Sequence, residues 1–429
     1  MNNLFFKYLS IISDNLWLIV VILVTILGIY FSIRFKGIQF NLKKMIKSLL
    51  TKEEKSDGLS SFKTLTIALA GRIGVGSISG VALAIYLGGP GTIFWIWIIA
   101  ILSSIIAYAE TYLGIKYREK GKNGINNGGP EFYINKGLHK PKLAMIYIIV
   151  FFFCYLFGFN SIQSNTITKA ISSSFSIAPI IVALLTAIIT SIIIFKGERI
   201  VANAASKLVP FMSIIYVLIA LFIFIKNYQL IPIIFSSIFK SAFNFKSITS
   251  GFLVTMITGT KRGLFSNEAG LGTGSIASAT GNNNDAVKQG YIQMLGIYIT
   301  SIVICTATAI IILSSNYSSL MVNDPNGIEI ASSAFNYHLG SIGNNILTII
   351  ITLFAFSTIL SGYYYGIASL KYIFKKDYST ILKVLTAIII FAGGLISSTT
   401  IWTFTDALIA LLIIINIVSI FILRKEITT

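Results

Sequence analysis

The chain has 429 residues, of which 55% are hydrophobic and only 11% charged, and it carries a net charge of +18. A water-soluble domain has roughly 25% charged residues, so this chain cannot cover a water-facing surface of its size, which excludes a cytosolic enzyme, a disordered chain and a secreted disulfide scaffold. Its two cysteines, Cys154 and Cys305, stand far apart in apolar runs, so the sequence points to neither a disulfide framework nor a metal cluster.

An integral membrane protein remains. Apolar stretches of about 20 residues are long enough to cross the hydrocarbon as helices. They fall at 16–33, 62–86, 91–117, 143–174, 178–195, 208–225, 248–280, 290–314, 346–374, 381–398 and 402–423, about eleven in all. None shows the alternation of barrel strands, so the expected fold class is an all-α bundle. The first stretch lacks a small-residue cleavage site and is read as a span, not a leader. Lys and Arg crowd alternate connections: Arg34 to Lys55, Lys116 to Lys142, Lys196 to Lys207, Lys288, Lys371 to Lys383, and Arg424 with Lys425. The intervening loops are nearly free of them, which predicts an outside N-terminus and a cytoplasmic C-terminus in the cell inner membrane. The basic segment 35–50 is either an interfacial helix on the inner surface or a solvated loop.

With the first span set aside, the rest divide into two groups of five that start on opposite faces, as inverted repeats require. The expected organisation is 1–61 for the first helix and basic segment, 62–226 for one repeat, 227–247 for an outer connector, 248–423 for the second repeat and 424–429 for a tail. Each repeat opens on a glycine-rich span: Gly71-Arg72-Ile73-Gly74-Val75-Gly76-Ser77 in one, Lys261-Arg262-Gly263 followed by Ser266-Asn267-Glu268-Ala269-Gly270-Leu271-Gly272 in the other. Glycine weakens a helix interior by about 1 kcal/mol relative to alanine. Clustered glycines therefore let the helix unwind, which lipid tolerates only where the freed amides and carbonyls line a cavity or are buried in protein. Those groups then bind ions and carboxylates. Glycines can also be simple packing notches between helices; the repeat, and the charges within these same stretches, favour the break. Glu268 is expected to pair with Arg262, or with another of these cations, as a structural clamp. Asp406, alone in the last span, reads as a structural cap or a proton site.

At these residues the chain resembles the amino acid carrier family of alanine or glycine:cation symporters. The strongest block is Arg262-Gly263-Leu264-Phe265-Ser266-Asn267-Glu268-Ala269-Gly270-Leu271-Gly272. Gly88-Gly89-Pro90-Gly91, Gly128-Gly129-Pro130, Gln163-Ser164-Asn165, Val209-Pro210-Phe211-Met212 and Phe354-Ala355-Phe356-Ser357-Thr358-Ile359-Leu360 also match. The resemblance covers nearly the whole length. It implies a five-plus-five inverted repeat like the bacterial leucine transporter, with one extra N-terminal helix. It further implies uptake of small neutral amino acids with sodium by alternating access, no enzymatic activity and no cofactor.

Under that resemblance, sodium would lie between the first break and the third helix of the second repeat. Its oxygens would come from the backbone of Gly71, Arg72 and Gly74 and the hydroxyls of Ser357, Thr358 and Ser361. Ser and Thr in such helices also serve simply to bond backbone carbonyls. The substrate would meet Gly74, Gly76, Ser77, Gln163, Phe265, Ser266, Asn267 and Gly362, with its carboxylate at a half-helix N-terminus. The chain departs from the family pattern at Val75, Ser77, Thr300 and Gly362, and at Thr273-Gly274-Ser275-Ile276-Ala277-Ser278. Ser77 and Gly362 shrink side chains where the pocket is expected; Val75 and Thr300 remove polar or anionic oxygens. These departures keep open a carrier of the same fold with a larger substrate, or with proton or no coupling. No phosphate-loop motif is present, so an ion gradient is the expected driving force.

Overall fold

The computed structural model describes residues 2–51, 59–121, 126–244, 251–281, 284–317, 326–374 and 378–429. Lys52, Lys55, Lys122, Lys375 and Lys376, from the basic connections that set the expected orientation, lie outside them. The described chain is almost entirely helical; its one sheet is a two-stranded hairpin, Glu119–Lys120 with Asn126–Asn127.

The first helix, α1 (Asn2–Arg34), turns Trp17, Val20, Val24 and Phe31 inward and leaves Ile19, Ile22 and Ile26 on the outside, as a lipid-facing helix does. Next, α2 (Leu42–Leu50) is a short helix capped by Asn41, whose side chain accepts from the Lys44 amide. Segment 35–50 is thus partly helical: Met45 is buried and Lys44 lies 4.3 Å from the Tyr291 ring. The first glycine-rich span is α3 (Ser61–Arg72) and α4 (Val81–Gly88), bent by 51° at the break between them. Then come α5 (Thr92–Lys116), the short α6 (Pro130–Lys136), α7 (Pro141–Phe153) running through a π turn into α8 (Asn160–Phe175), α9 (Pro179–Ile194) and α10 (Glu198–Lys226).

After α11 (Ile231–Ala242), the second glycine-rich span appears as α12 (Leu253–Asn267) and α13 (Thr273–Ala279). It is followed by α14 (Ala286–Tyr298), a π turn, α15 (Cys305–Leu313), α16 (Gly327–Leu339), α17 (Ser341–Ile373), α18 (Ser379–Leu395) and α19 (Ser398–Ile422). Helices therefore occupy the described residues of every expected span, with both glycine-rich spans interrupted. By length and apolarity alone seven helices qualify to cross a membrane, or eight with the bent pair; α9 and α18 are apolar but shorter. The second interrupted span is not among them, since α12 has 15 residues and α13 seven.

Three helices stand where connections were expected. α11 buries Ile234 and Ile238 while its other side is open. α16 is started by a capping box, with Asn326 and Glu329 each accepting from the other's backbone amide. α6 starts on Pro130, a residue suited to a first turn.

The two interrupted spans meet at the centre. α3 packs on α10, α17 and α13, and α12 packs on α5, while α5 lies along α14 and α8 along α17. α1 runs outside this group against α19 and α5. Close helix approach uses small residues, as in other membrane bundles. A Cβ at Gly393 on α18 would stand 2.6 Å from the Ser161 backbone of α8. Gly393→Val is therefore expected to force these helices apart and destabilise the protein by about 1–3 kcal/mol, read as a lowered melting temperature in detergent.

Candidate functional site

The first break is held open from three sides. Past Arg72 the chain leaves the helix at Ile73 and re-enters through a π turn at Gly76–Gly80. The Val75 amide, freed there, donates to Gln163 Oε1 on α8 at 3.1 Å. The Ala70 carbonyl accepts from Thr358 Oγ1 at 2.8 Å and from Ser357 Oγ at 3.4 Å, both on α17. Ser77 Oγ donates back to the Arg72 carbonyl at 3.2 Å and meets Ser266 Oγ of the second break at 2.8 Å. The glycines admit these neighbours. A Cβ at Gly74 would collide with Thr358 Oγ1, and one at Gly76 would stand 2.6 Å from the Phe265 ring.

The second break turns through left-handed backbone at Glu268, Gly270 and Gly272. Two of the three are glycines, the residue that adopts this region without strain. Asn267 clamps the turn: its Nδ2 donates to Ser103 and Ser301, and its Oδ1 accepts from the Ala269 amide. The Gly272 amide donates to Glu110 Oε2 on α5 at 3.1 Å, and Tyr147 of α7 donates to the Leu271 carbonyl at 2.7 Å. Asn416 on α19 donates both to Glu110 Oε2 and to the Gly270 carbonyl.

The two breaks interlock through charge. Glu268 lies against the first break, where a Cβ at Gly71 would stand 2.8 Å from its Oε2. Arg72 reaches the other way: a Cβ at Gly274 would stand 2.6 Å from its guanidinium, and so would one at Gly296 on α14. Both side chains are fully buried or nearly so, and the charge of Arg72 acts on Glu268 and Glu110.

This corrects the expected clamp between Arg262 and Glu268. The Arg262 guanidinium instead donates to Asp406 on α19 at 2.5 Å, and Lys261 joins the same carboxylate at 3.0 Å. Asp406, expected to be alone, thus carries two cations. Sequence distance hid the pair, because Arg262 and Asp406 meet only when α19 packs on α12. Around it, Arg262 lies 4.5 Å from the Trp402 ring, Trp402 packs on Phe265, and Phe265 stacks on Phe159 at 4.9 Å.

Of the expected sodium ligands, Ser357 and Thr358 reach the first break, and the carbonyl they meet is that of Ala70, one residue before the expected Gly71. Ser361 donates within its own helix, to the Thr358 carbonyl. Of the expected substrate residues, Gly74, Gly76, Ser77, Gln163, Phe265 and Ser266 come together. Gly362 lies beside Asn160 of α8. Asn267 is committed through its side chain to the turn. Asn165 is likewise bonded to the Ile396 carbonyl and to Ser398.

Sequence reading missed Asn160, Ala70, Cys305 and Thr308. Cys305 and Thr308 close the polar centre: Ser266 Oγ lies 3.3 Å from Cys305 Sγ, and Thr308 donates to the Ser77 carbonyl. The amide of Asn160 is buried without a hydrogen-bond partner and lies directly against Gly362, where a Cβ would collide with its Oδ1. A central π turn at Cys154–Phe159 precedes it, a feature frequent at functional sites.

Comparison with known proteins agrees with this architecture. A family model described as the sodium:alanine symporter family matches residues 2–429. The amino-acid carrier protein AlsT of Bacillus subtilis is 35% identical over 428 residues, covering 99% of this chain and 91% of AlsT. The probable sodium/glutamine symporter GlnT of the same organism is 34% identical, over 98% of this chain and 88% of its own. The sodium/alanine symporter AgcS of Methanococcus maripaludis is 34% identical, over 92% and 89%. Among solved structures, MhsT in complex with L-phenylalanine aligns with a TM-score of 0.61 at 12% identity, over 86% of this chain and 90% of that one. A sodium-coupled sialic acid symporter aligns at 0.57 and 15% identity, over 96% and 87%. At these identities the structural likeness shows the fold.

The buried charge group gives a direct expectation. Asp406→Ala leaves Arg262 without its anion and should destabilise the protein by about 3–5 kcal/mol. Arg262→Met combined with Asp406→Leu should recover most of that loss, measured by thermal unfolding in detergent.

Proposed function

The chain belongs to the sodium:alanine symporter family, and from that premise we propose that it imports small neutral amino acids together with sodium by alternating access. Transport of amino acids by symport follows from the family; the substrate class, the ion and the direction are the proposal. The observation that carries it is the meeting of the Ala70 carbonyl with the Ser357 and Thr358 hydroxyls at the first break. Uncharged oxygens gathered from two elements suit a hard cation such as sodium. The amides freed at the same break, with Ser77 and Ser266 opposite, suit an amino acid's carboxylate and ammonium. Gln163 fixes the break by taking the Val75 amide, and Phe265 forms the wall toward Trp402.

In this reading the Arg262–Asp406 pair and the Trp402–Phe265 stack close the outer side. The contacts of α13 with α5, α6 and α14 close the inner side. The N-terminus lies outside and the tail after α19 inside, in the cell membrane, with the repeats at 62–226 and 248–423.

One observation favours a second reading, a larger substrate. Gly362 admits the Asn160 carboxamide, which has no hydrogen-bond partner, directly against α17 beside the site, where any larger residue would displace it. An unpaired carboxamide suits a side chain with its own polar end. Two relatives carry names that point to alanine and one to glutamine, so both substrates belong in the test.

Reconstituted protein should take up radiolabelled alanine, glycine or glutamine saturably, and only with an inward sodium gradient. Uptake that ignores sodium would overturn the coupling proposed. Thr358→Val removes one oxygen from the ion site and should raise the sodium concentration for half-maximal uptake at least tenfold; an unchanged sodium curve would remove that residue from the site. Gly362→Trp should reduce glutamine uptake more than glycine uptake, measured as the ratio of the two rates.

A further inference from the structure

Glu131 is the second residue of α6 and is fully buried. Neither of its carboxylate oxygens receives a hydrogen bond from another residue. Among the described residues no Lys or Arg forms an ion pair with it. Its surroundings are backbone and ring. A Cβ at Gly129 would stand 2.6 Å from Glu131 Oε2 and 2.7 Å from Ile276 of α13, so α13 covers the same spot. Pro130, beside it, packs on Gly272 at the start of α13.

The titratable groups facing Glu131 are phenols: Tyr133 from α6 itself, Tyr147 from α7 and Tyr372 from α17. Two of these hydroxyls are directed elsewhere, Tyr133 to Asn416 and Tyr147 to the Leu271 carbonyl. Tyr372 donates to the backbone carbonyl of Glu131, not to its side chain. Glu110 on α5 faces the same Tyr133 and Tyr147. α19 contributes only the uncharged Asn416.

An ionised carboxylate is strongly disfavoured in such a place, and a buried acid left without partners takes up a proton instead. We propose that Glu131 is a proton-binding site at the inner end of the bundle, occupied while α6 and α13 are packed together and vacated when they part. Proton binding thereby favours the closed inner end. The inference rests on the alternating access proposed above but requires neither sodium nor substrate.

Burial pushes the Glu131 carboxyl up to about 7, against about 4.3 for a glutamate in water. The packed form therefore binds the proton more tightly than the parted form. Packing is undisturbed below the lower value, weakens by about tenfold per pH unit between about 4.5 and about 7, and weakens no further above that.

The test places a single cysteine at Thr280, just past α13, in a chain with Cys154→Ala and Cys305→Ala. Its labelling by a maleimide in detergent is normalised to the exposed position Asn345→Cys, which removes the intrinsic pH dependence of the thiol. The normalised rate should rise through that pH window by at least tenfold and then level off. Glu131→Gln should hold it at the low-pH rate throughout, and Glu131→Met serves the same purpose should the first variant purify poorly. A flat wild-type profile, or a wild-type slope retained in the neutral variants, would overturn the proposal. Sodium-driven uptake is measured separately, so loss of either result leaves the other standing.

Discussion

Lipid supplies no hydrogen bonds, and that constraint organises the centre of this molecule. Two helices break at membrane depth, which frees amides and carbonyls that must find partners inside the protein. Each break finds them partly in its own half of the chain and partly in the other. The Val75 amide is taken by Gln163, and the Ala70 carbonyl by Ser357 and Thr358. The Gly272 amide is taken by Glu110, and the Gly270 carbonyl by Asn416. Above these hydrogen bonds lies the exchange of charge, with Glu268 placed against Gly71 and Arg72 against Gly274. The breaks are therefore one unit: closing either would strand polar groups of the other, at a cost of roughly 1–3 kcal/mol for each group.

Much of this was legible in the residues. The apolar stretches, the two glycine clusters and the charges inside them gave the helical class, the interrupted spans and most of the central residues. The first break could be located from Gly71, Gly74 and Gly76 because a helix that must bend and admit neighbours at several points has little choice but glycine. Ser357 and Thr358, expected from the resemblance, do reach the first break.

Other features were out of reach for physical reasons. The pairing of Arg262 with Asp406, and the placing of Arg72 and Glu268 across the two breaks, depend on how distant helices cross, which no local pattern encodes. A sequence shows that a buried charge needs a partner and not which one. Asn160 escaped notice because a lone amide among aromatics carries no spacing signal; its meaning comes from Gly362 on another helix. α11 and α16 were hidden by the same limit, since short helices lying against a bundle need only a narrow apolar stripe. Asn267 shows the converse: it looked like a pocket residue, and its side chain is bonded to the turn of the second break.

Three groups of buried charge among the described residues differ in what holds them. Arg72 and Glu268 reach across the two breaks, one against Gly274 and Gly296 and the other against Gly71, with Thr273 and Tyr155 beside Glu268. Arg262 and Asp406 join α12 to α19 through side chains and aromatic rings alone, which can part without breaking a backbone hydrogen bond. Among the described residues Glu131 has no ionic partner, and α13 covers it. In the alternating access proposed above, the first group would stay in place, the outer closure would depend on ions and rings that water can replace, and the inner closure would depend on an acid that water can ionise.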